Sequence, residues 1–270
     1  MKFKLVIAYD GTAYQGWQVQ KIGTGVQQIV EAALARLFPS GPRLHSSSRT
    51  DTGVHALAMV AHFEVPPAEA RLSARRLLGA INAHLPADVR VVSAARAPAA
   101  FHARFDAAGK QYRYFVWNHP AMNPLRRHTA WHVPRRLDPR LMRAAARLFL
   151  GRHDFQSFSS NPGYRRQTTV RTLTRCDVKK SGPQFTFIIE GDGFLYKMVR
   201  GVVGTIVQAG QGKFPPEDVK MMLAKADRRV AGMTAPAHGL VLWKVFYRSA
   251  SRPRPAKRER LPAPAAAPAR

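Results

Sequence analysis

The sequence has 270 residues, and 46% of them are hydrophobic, which excludes a largely disordered chain and allows one large domain or two small ones. Lys and Arg number 43 against 16 Asp and Glu, a net charge of +27. Six basic residues and one acidic residue lie after position 248, so the preceding chain carries +22. A body this basic repels itself, and a polyanion such as nucleic acid relieves the repulsion. An Arg-rich proteome is the alternative explanation.

Several functional classes are excluded by missing motifs. The single cysteine, Cys176, allows neither an intrachain disulfide nor a cysteine-based zinc site. P-loop, His-Glu-x-x-His and dinucleotide-binding patterns are missing, and His128 and His132 have no carboxylate between them. We therefore expect no metal and no cofactor. Neither a signal peptide nor an apolar run of membrane-spanning length is recognisable, so a cytoplasmic protein without membrane contact is expected.

The order of predicted elements indicates an α+β fold with a largely antiparallel sheet, because neighbouring strands occur beside helices of moderate length. The predicted strands are 3–9, 44–48, 57–65, 89–94, 111–118, 170–179, 185–190 and 240–246. The predicted helices are 26–37, 68–84, 139–150, 196–211 and 216–224. Two similar halves, 1–105 and 106–248, are expected. Residues 249–270 form a basic, Pro/Ala-rich tail that we expect to be disordered.

Asp51 is the carboxylate with the strongest indication of chemistry. It occupies a tight turn between two predicted strands, within the segment Ser48-Arg49-Thr50-Asp51-Thr52-Gly53-Val54-His55-Ala56. An arginine two residues away, Arg49, favours the ionised carboxylate. The alternative is an Asx-turn, in which the Asp51 side chain bonds its own backbone beside Gly53.

Basic and aromatic residues alternate in two neighbouring segments, 101–105 and 110–114. On the second segment Lys110, Tyr112 and Tyr114 share one face, which suits stacking on a flipped-out base with a phosphate beside it. The alternative is that these aromatic side chains are core. We expect core positions for Phe105 and Phe115, whereas the pattern leaves Tyr112 open between the two interpretations.

Six motifs, in order and over roughly residues 3–247, resemble the tRNA pseudouridine synthase A family. They are Tyr9-Asp10-Gly11, Tyr14-x-Gly16-Trp17-Gln18-x-Gln20, Arg49-Thr50-Asp51-x-Gly53-Val54-His55-Ala56, Phe101-His102-Ala103-Arg104-Phe105 with Tyr112-x-Tyr114, Gly193-Phe194-Leu195-Tyr196-x-Met198-Val199-Arg200 and Ala235-Pro236-x-His238-Gly239-Leu240. Two positions depart from the family pattern, with Ser48 where Gly is usual and Thr52 where Ala is common. Neither departure removes a reacting group.

The resemblance implies the pseudouridine synthase fold, with two RRM-like halves sharing a central, mainly antiparallel sheet flanked by helices. It implies isomerisation of uridine to pseudouridine in the anticodon stem-loop of tRNA, at positions 38–40, without a cofactor. A homodimer with one tRNA contacting both subunits is expected. Asp51 is implied as the nucleophile or proton abstractor, attacking either the ribose or the base.

The resemblance also assigns roles around Asp51. Arg49 is expected to help extrude the uridine and to pair with Asp51, and Tyr112 to stack on the flipped base or take its C5 proton. Leu240 is expected on the apolar side of the base. Further substrate-binding residues are expected in the shared motifs, with a solvated basic face as the alternative for the last two: His55, Arg104, Lys197 and Arg200.

The residues alone leave three alternative functions open. One is a non-catalytic RNA-binding protein on the same fold, in which Asp51 is expendable. A second is a hydrolase that uses Asp51 to activate water and releases free uracil. The third is a pseudouridine synthase acting on another RNA.

Overall fold

The computed structural model describes residues 1–20, 22–161, 163 and 167–248, so the predicted tail at 249–270 lies outside the described residues. The described ranges contain both strands and α-helices, with short 3-10 helices between some of them. The strands are β1 Lys2–Tyr9, β2 His45–Ser46, β3 His55–Glu64, β4 Val89–Ala97, β5 Ala107–Trp117, β6 Trp131–His132, β7 Gly151–Asp154, β8 Val170–Ser181, β9 Gln184–Gly191 and β10 Leu240–Tyr247. The helices are α1 Val26–Ala35, α2 Ala74–Ala83, α3 Pro139–Arg147, α4 Met198–Gly210 and α5 Asp218–Lys225.

All these strands belong to one sheet with the order β4-β1-β3-β10-β5-β9-β8-β7, in which β2 also pairs with β3 and β6 with β5. The first set, β1-α1-β2-β3-α2-β4, has the spatial order 4-1-3-2. The second set, β5-α3-β8-β9-α4-β10, repeats that order. The prediction of an α+β fold with two RRM-like units sharing a mainly antiparallel sheet is confirmed.

The two RRM-like units meet where β3 and β10 run parallel, with Val241 opposite His55 and Leu242 opposite Ala56. Parallel strands begin at the same edge of a sheet. The loop before β3, which carries Asp51, therefore lies beside the loop before β10. This junction brings together chain segments that are far apart in sequence and determines where the site forms.

Helix α4 is the most buried helix, and its apolar side chains pack on nearly all sides. Gly201 and Gly204 lie directly against the carbonyl groups of Phe158 and Met233, where an added Cβ has no room. Close packing therefore requires glycine at both positions. No helix within the described ranges combines the length and apolarity needed to cross a membrane.

The predicted helix 68–84 is two separate elements. A 3-10 turn covers Pro67–Glu69, and α2 begins only at Ala74. Ser73 is the reason, because its side chain accepts a hydrogen bond from the Arg76 amide and so caps a new helix start. The short strands β6 and β7 were not predicted, whereas most other elements agree with their predicted ranges within a few residues.

Candidate active site

Asp51 lies on a loop that leads into β3, and the first two shared motifs support this loop. The hydroxyl groups of Tyr9 and Thr50 are hydrogen-bonded at 2.7 Å. The Trp17 amide donates to the carbonyl oxygen of Thr50 at 3.1 Å. Gly16 has φ +85°, a backbone conformation that favours glycine, and it lies against the same carbonyl, which leaves no room for a side chain. The two motifs thus fix Thr50, the residue immediately before Asp51.

The carboxylate of Asp51 is paired with Arg200, whose Nη1 donates to Oδ2 at 2.9 Å. Both side chains are mostly buried, with 18% and 14% exposed. Within the described part of the chain, no hydrogen bond reaches Oδ1 of Asp51. Its main-chain carbonyl, rather than its side chain, accepts the Val54 amide at 3.1 Å. The carboxylate is therefore held through one oxygen and open through the other, which is not the arrangement of an Asx-turn.

Arg200 lies in the first turn of α4 and is fixed from two directions. Its Nε donates to the Ala235 carbonyl at 2.8 Å, and the Ala235 amide donates to the Arg200 carbonyl at 3.0 Å. The guanidinium thereby connects α4, the loop before β10 and Asp51. Arg200 was predicted to bind substrate, but it lies behind Asp51 rather than among the cleft-lining residues.

The predicted ion pair between Arg49 and Asp51 is wrong, because Arg200 occupies that position. The chain turns at the buried Thr50, so the Arg49 side chain stays exposed while that of Asp51 is mostly buried. Arg49 lies at the cleft wall and forms no ion pair with any residue that the structure describes. It is therefore available to a ligand.

Tyr112 is buried in the central strand β5 and forms the apolar floor of the cleft with Phe194 and Leu240. The rings of Tyr112 and Phe194 meet edge to face, with centroids 5.0 Å apart. Burial raises the pKa of Tyr112 to about 12, while the Ser48 hydroxyl lowers it in part and the Asp51 charge raises it. The phenol is accordingly neutral near physiological pH.

His55 was predicted at the substrate but lies outside the cleft, with 5% of its surface exposed. Its Nε2 faces the carbonyl oxygens of His128 at 2.8 Å and His238 at 3.0 Å, so Nε2 carries the proton that they accept. The Gly11 amide donates to Nδ1 at 3.0 Å. The ring therefore ties three loops together beneath the site, and its nitrogens are not available to substrate.

The predicted division of the aromatic side chains between the core and the base-binding face is only partly correct. Tyr114 is core, because the loop before β10 covers it and its hydroxyl donates to the Pro236 carbonyl at 2.7 Å. Lys110 and Tyr112 do reach the cleft. The expected core position of Phe105 is wrong, since its side chain is 75% exposed at the cleft rim.

The cleft has a volume of about 1220 Å³, above the roughly 300–1,000 Å³ of small-molecule pockets. Asp51 is the one carboxylate among the described residues that line it, and cationic side chains outnumber it. The predicted site residues that line the cleft are Arg49, Asp51, Arg104, Tyr112, Lys197 and Leu240. The arrangement suits a polyanion with one apolar group inserted beside Asp51.

Lys197 has a left-handed backbone, with φ +60°, at the start of α4. Such a conformation is uncommon outside glycine and is concentrated at functional sites. Its ammonium lies 5.0 Å from the centroid of the Tyr196 ring. The strained turn therefore places a cation at the cleft one turn before Arg200.

Several residues that line the cleft were not predicted from the sequence. Phe194 lay within a quoted motif, so its position in that motif was a usable signal. Lys110 was placed on the correct face but not in the site. His102 was quoted too, whereas Arg43 and His45 carried no distinguishing pattern. Among the described residues, no cluster of His, Cys, Asp and Glu side chains is arranged to hold a metal ion.

A histidine cluster closes one end of the cleft. The rings of His62 and His102 lie 4.7 Å apart, and His45 stacks on His62 at 5.1 Å. His62 is 2% exposed, and its Nδ1 accepts the Ala103 amide at 3.1 Å. Burial, followed by the charges of His102, His45 and Lys2, lowers the pKa of His62 to about 4.

Acid should therefore destabilise the fold through His62. The unfolded state binds this proton near pH 6.5 and the folded state only near pH 4, so stability falls as pH drops through that window. We expect His62→Asn to remove on the order of 1–2 kcal/mol of the loss in unfolding free energy between pH 7 and pH 5. Urea denaturation at both pH values measures this, and an unchanged pH dependence in the variant would contradict it.

The family model described as tRNA pseudouridine synthase matches residues 5–106 and 145–248. The chain belongs to this family. It is 47% identical over 244 residues to tRNA pseudouridine synthase A of Syntrophotalea carbinolica, covering 90% of this chain and 95% of that one. The enzyme of the same name from Geobacillus kaustophilus is 46% identical over 248 residues, covering 91% and 94%.

A third relative, tRNA pseudouridine synthase A of Geotalea uraniireducens, is 44% identical over 246 residues, with 91% of this chain and 99% of the relative covered. Among solved structures, a Cbf5-Nop10-Gar1 complex aligns over 76% of this chain and 44% of its own, with 11% identity and a TM-score of 0.35. The sequence relatives identify this isomerase family.

Proposed function

We propose that this protein isomerises uridine to pseudouridine in the anticodon stem-loop of tRNA, at positions 38–40, with Asp51 as the nucleophile. The observation that carries the proposal is Asp51 itself, a carboxylate held through Oδ2 in a large cationic cleft above an apolar floor. Membership of the tRNA pseudouridine synthase family and relatives named for tRNA support the substrate class.

The reaction breaks the N1–C1′ bond and forms a C5–C1′ bond, while C5 loses a proton and N1 gains one. The reaction is an isomerisation of the RNA and needs no oxidant or reductant. A carboxylate can form a covalent bond to the substrate and then leave it, as such a reaction requires. Asp51 forms the covalent bond through Oδ1, at ribose C1′ or at the base. Arg200 orients the carboxylate through Oδ2.

The remaining cleft residues have roles that follow from their positions. Tyr112, with Leu240 on the apolar side, receives the flipped uracil beside Asp51. Lys197 and Arg49 line the walls and bind phosphates. The exposed Arg49 side chain also helps to extrude the uridine from the RNA.

The anticodon stem-loop and a homodimer that shares one tRNA come from the family resemblance. The cleft volume supports a loop substrate over a free nucleoside, because it exceeds what one nucleoside fills. The excess of positive charge in the chain supports contact with many phosphates.

The test is release of tritium to water from unmodified tRNA labelled at uridine C5, followed by mapping of the modified position. Release that maps to positions 38–40 is the expected result. Release only from another RNA, or at another tRNA position, would replace the proposed substrate. Free uracil without tritium release would instead establish the hydrolase.

A further inference from the structure

Phe105 presents an aromatic ring at the rim of the cleft that contains Asp51. Its ring lies 4.2 Å from that of His102, at an interplanar angle of 30°. His102 is itself fixed, because its Nδ1 accepts the amides of Arg104 and Phe105 at 3.1 and 3.3 Å. One exposed apolar side chain is ordinary on a protein surface. An exposed ring with a rigid aromatic backing, at the edge of a functional cleft, is a ready stacking surface.

Lys110 provides a cation near this surface. It precedes Tyr112 by two residues on β5, on the same face, and both line the cleft. Within the described ranges, no hydrogen bond or ion pair joins its ammonium to another group. Burial, then the charges of Arg104 and Arg171, lowers its pKa to about 8. A half-buried ammonium among other cations is stabilised by an anion.

The cleft contains no protein anion for this role, since Asp51 is the one carboxylate among its described lining residues and is already paired with Arg200. Lys110 and Phe105 both line the cleft. Arg104 lies near both of them, because its guanidinium carbon is 5.9 Å from the centroid of the Phe105 ring and its charge lowers the pKa of Lys110. An aromatic platform beside unpaired cations matches a nucleotide, with a base for the ring and a phosphate for the charge.

We propose that Phe105, Lys110 and Arg104 form a second nucleotide subsite, which binds the nucleotide next to the uridine that Asp51 isomerises. The base of this neighbour stacks on Phe105, and its phosphate lies against Lys110 and Arg104. The inference rests on the proposed function, because it defines the neighbour relative to that uridine. The subsite holds the loop in register, so the Phe105 and Lys110 side chains are positioning residues.

The test is a pair of thermodynamic cycles on tRNA stem-loop binding by the full chain. The first cycle uses two RNAs, one with an abasic nucleotide before the target uridine and one with an abasic nucleotide after it. The affinity of each RNA is measured for wild type and for Phe105→Leu, which keeps an apolar side chain without the ring. We expect one abasic substitution to weaken wild-type binding about tenfold and variant binding less than twofold. The exposed, off-cleft Val92→Ala should show the full wild-type effect.

The second cycle replaces the neighbouring phosphate with a neutral methylphosphonate and combines it with Lys110→Met. The neutral linkage should weaken wild-type binding but barely affect the variant, whose salt dependence should fall by about one phosphate contact. Equal abasic effects in wild type and Phe105→Leu would overturn the subsite. Tritium release by wild type separates this outcome from failure of the proposed function, which would show as no release at all.

Discussion

Replacing Asp51 with Ala should lower tritium release from C5-labelled tRNA by roughly 10³-fold or more, because no other described carboxylate lines the cleft. Removal of a nucleophile abolishes the covalent step, whereas removal of a binding contact lowers affinity alone. Binding of tRNA should be retained or strengthened, since the substitution removes the negative charge from a cationic cleft. Single-turnover release and filter binding with the same tRNA measure the two effects.

Two variants separate chemistry from folding in this experiment. Asp51→Asn keeps the shape and an oxygen that accepts from Arg200, so it should fold like wild type and still be inactive. Asp177→Ala removes a carboxylate outside the cleft, where it pairs with Arg175, and should retain full release. Substantial activity in Asp51→Asn would show that Asp51 is not the nucleophile.

The fold was largely predictable because its elements follow local patterns. Alternating apolar residues identify β1, and helical spacing identifies α1. Failures occurred where a single polar residue decides a boundary, as Ser73 does at the start of α2. The parallel pairing of β3 with β10 has no local signal, because it joins residues nearly 190 positions apart. That pairing nevertheless decides which loops form the cleft.

The residues at the centre of the site were predictable from the sequence, whereas the contacts of the surrounding residues were less so. Asp51, Tyr112 and Leu240 do line the cleft, and their motifs were recognisable. The partner of Asp51 was assigned to Arg49 because proximity in sequence suggested it, whereas Arg200 arrives from 149 positions away. His55 lies in the most recognisable motif, yet its ring bonds backbone groups beneath the site. A motif therefore identifies a local structure. Only the three-dimensional geometry then shows which of its residues face the substrate and which support the loop.

Replacing Arg200 with Met should lower the rate constant at saturating tRNA about 100-fold, with a much smaller effect on tRNA affinity. The guanidinium holds Oδ2 of Asp51 and the Ala235 carbonyl at the same time, so its loss frees both the Asp51 carboxylate and the loop before β10. Arg200→Lys keeps one charge but not the fork that reaches both partners, so we expect only partial recovery. Single-turnover tritium release over a range of tRNA concentrations gives rate and affinity separately.

The same variant tests the ion pair as a structural element. Arg200→Met leaves a mostly buried carboxylate without its partner and should lower the free energy of unfolding by about 1–3 kcal/mol. Adding Asp51→Asn should restore part of that loss, because the uncompensated charge is gone. Arg175→Met, which breaks two more exposed pairs outside the cleft, with Asp177 and Glu190, should cost less than about 1 kcal/mol. If Arg200→Met turned over like wild type while losing stability, Arg200 would support the fold alone, and Asp51 would be oriented by its loop.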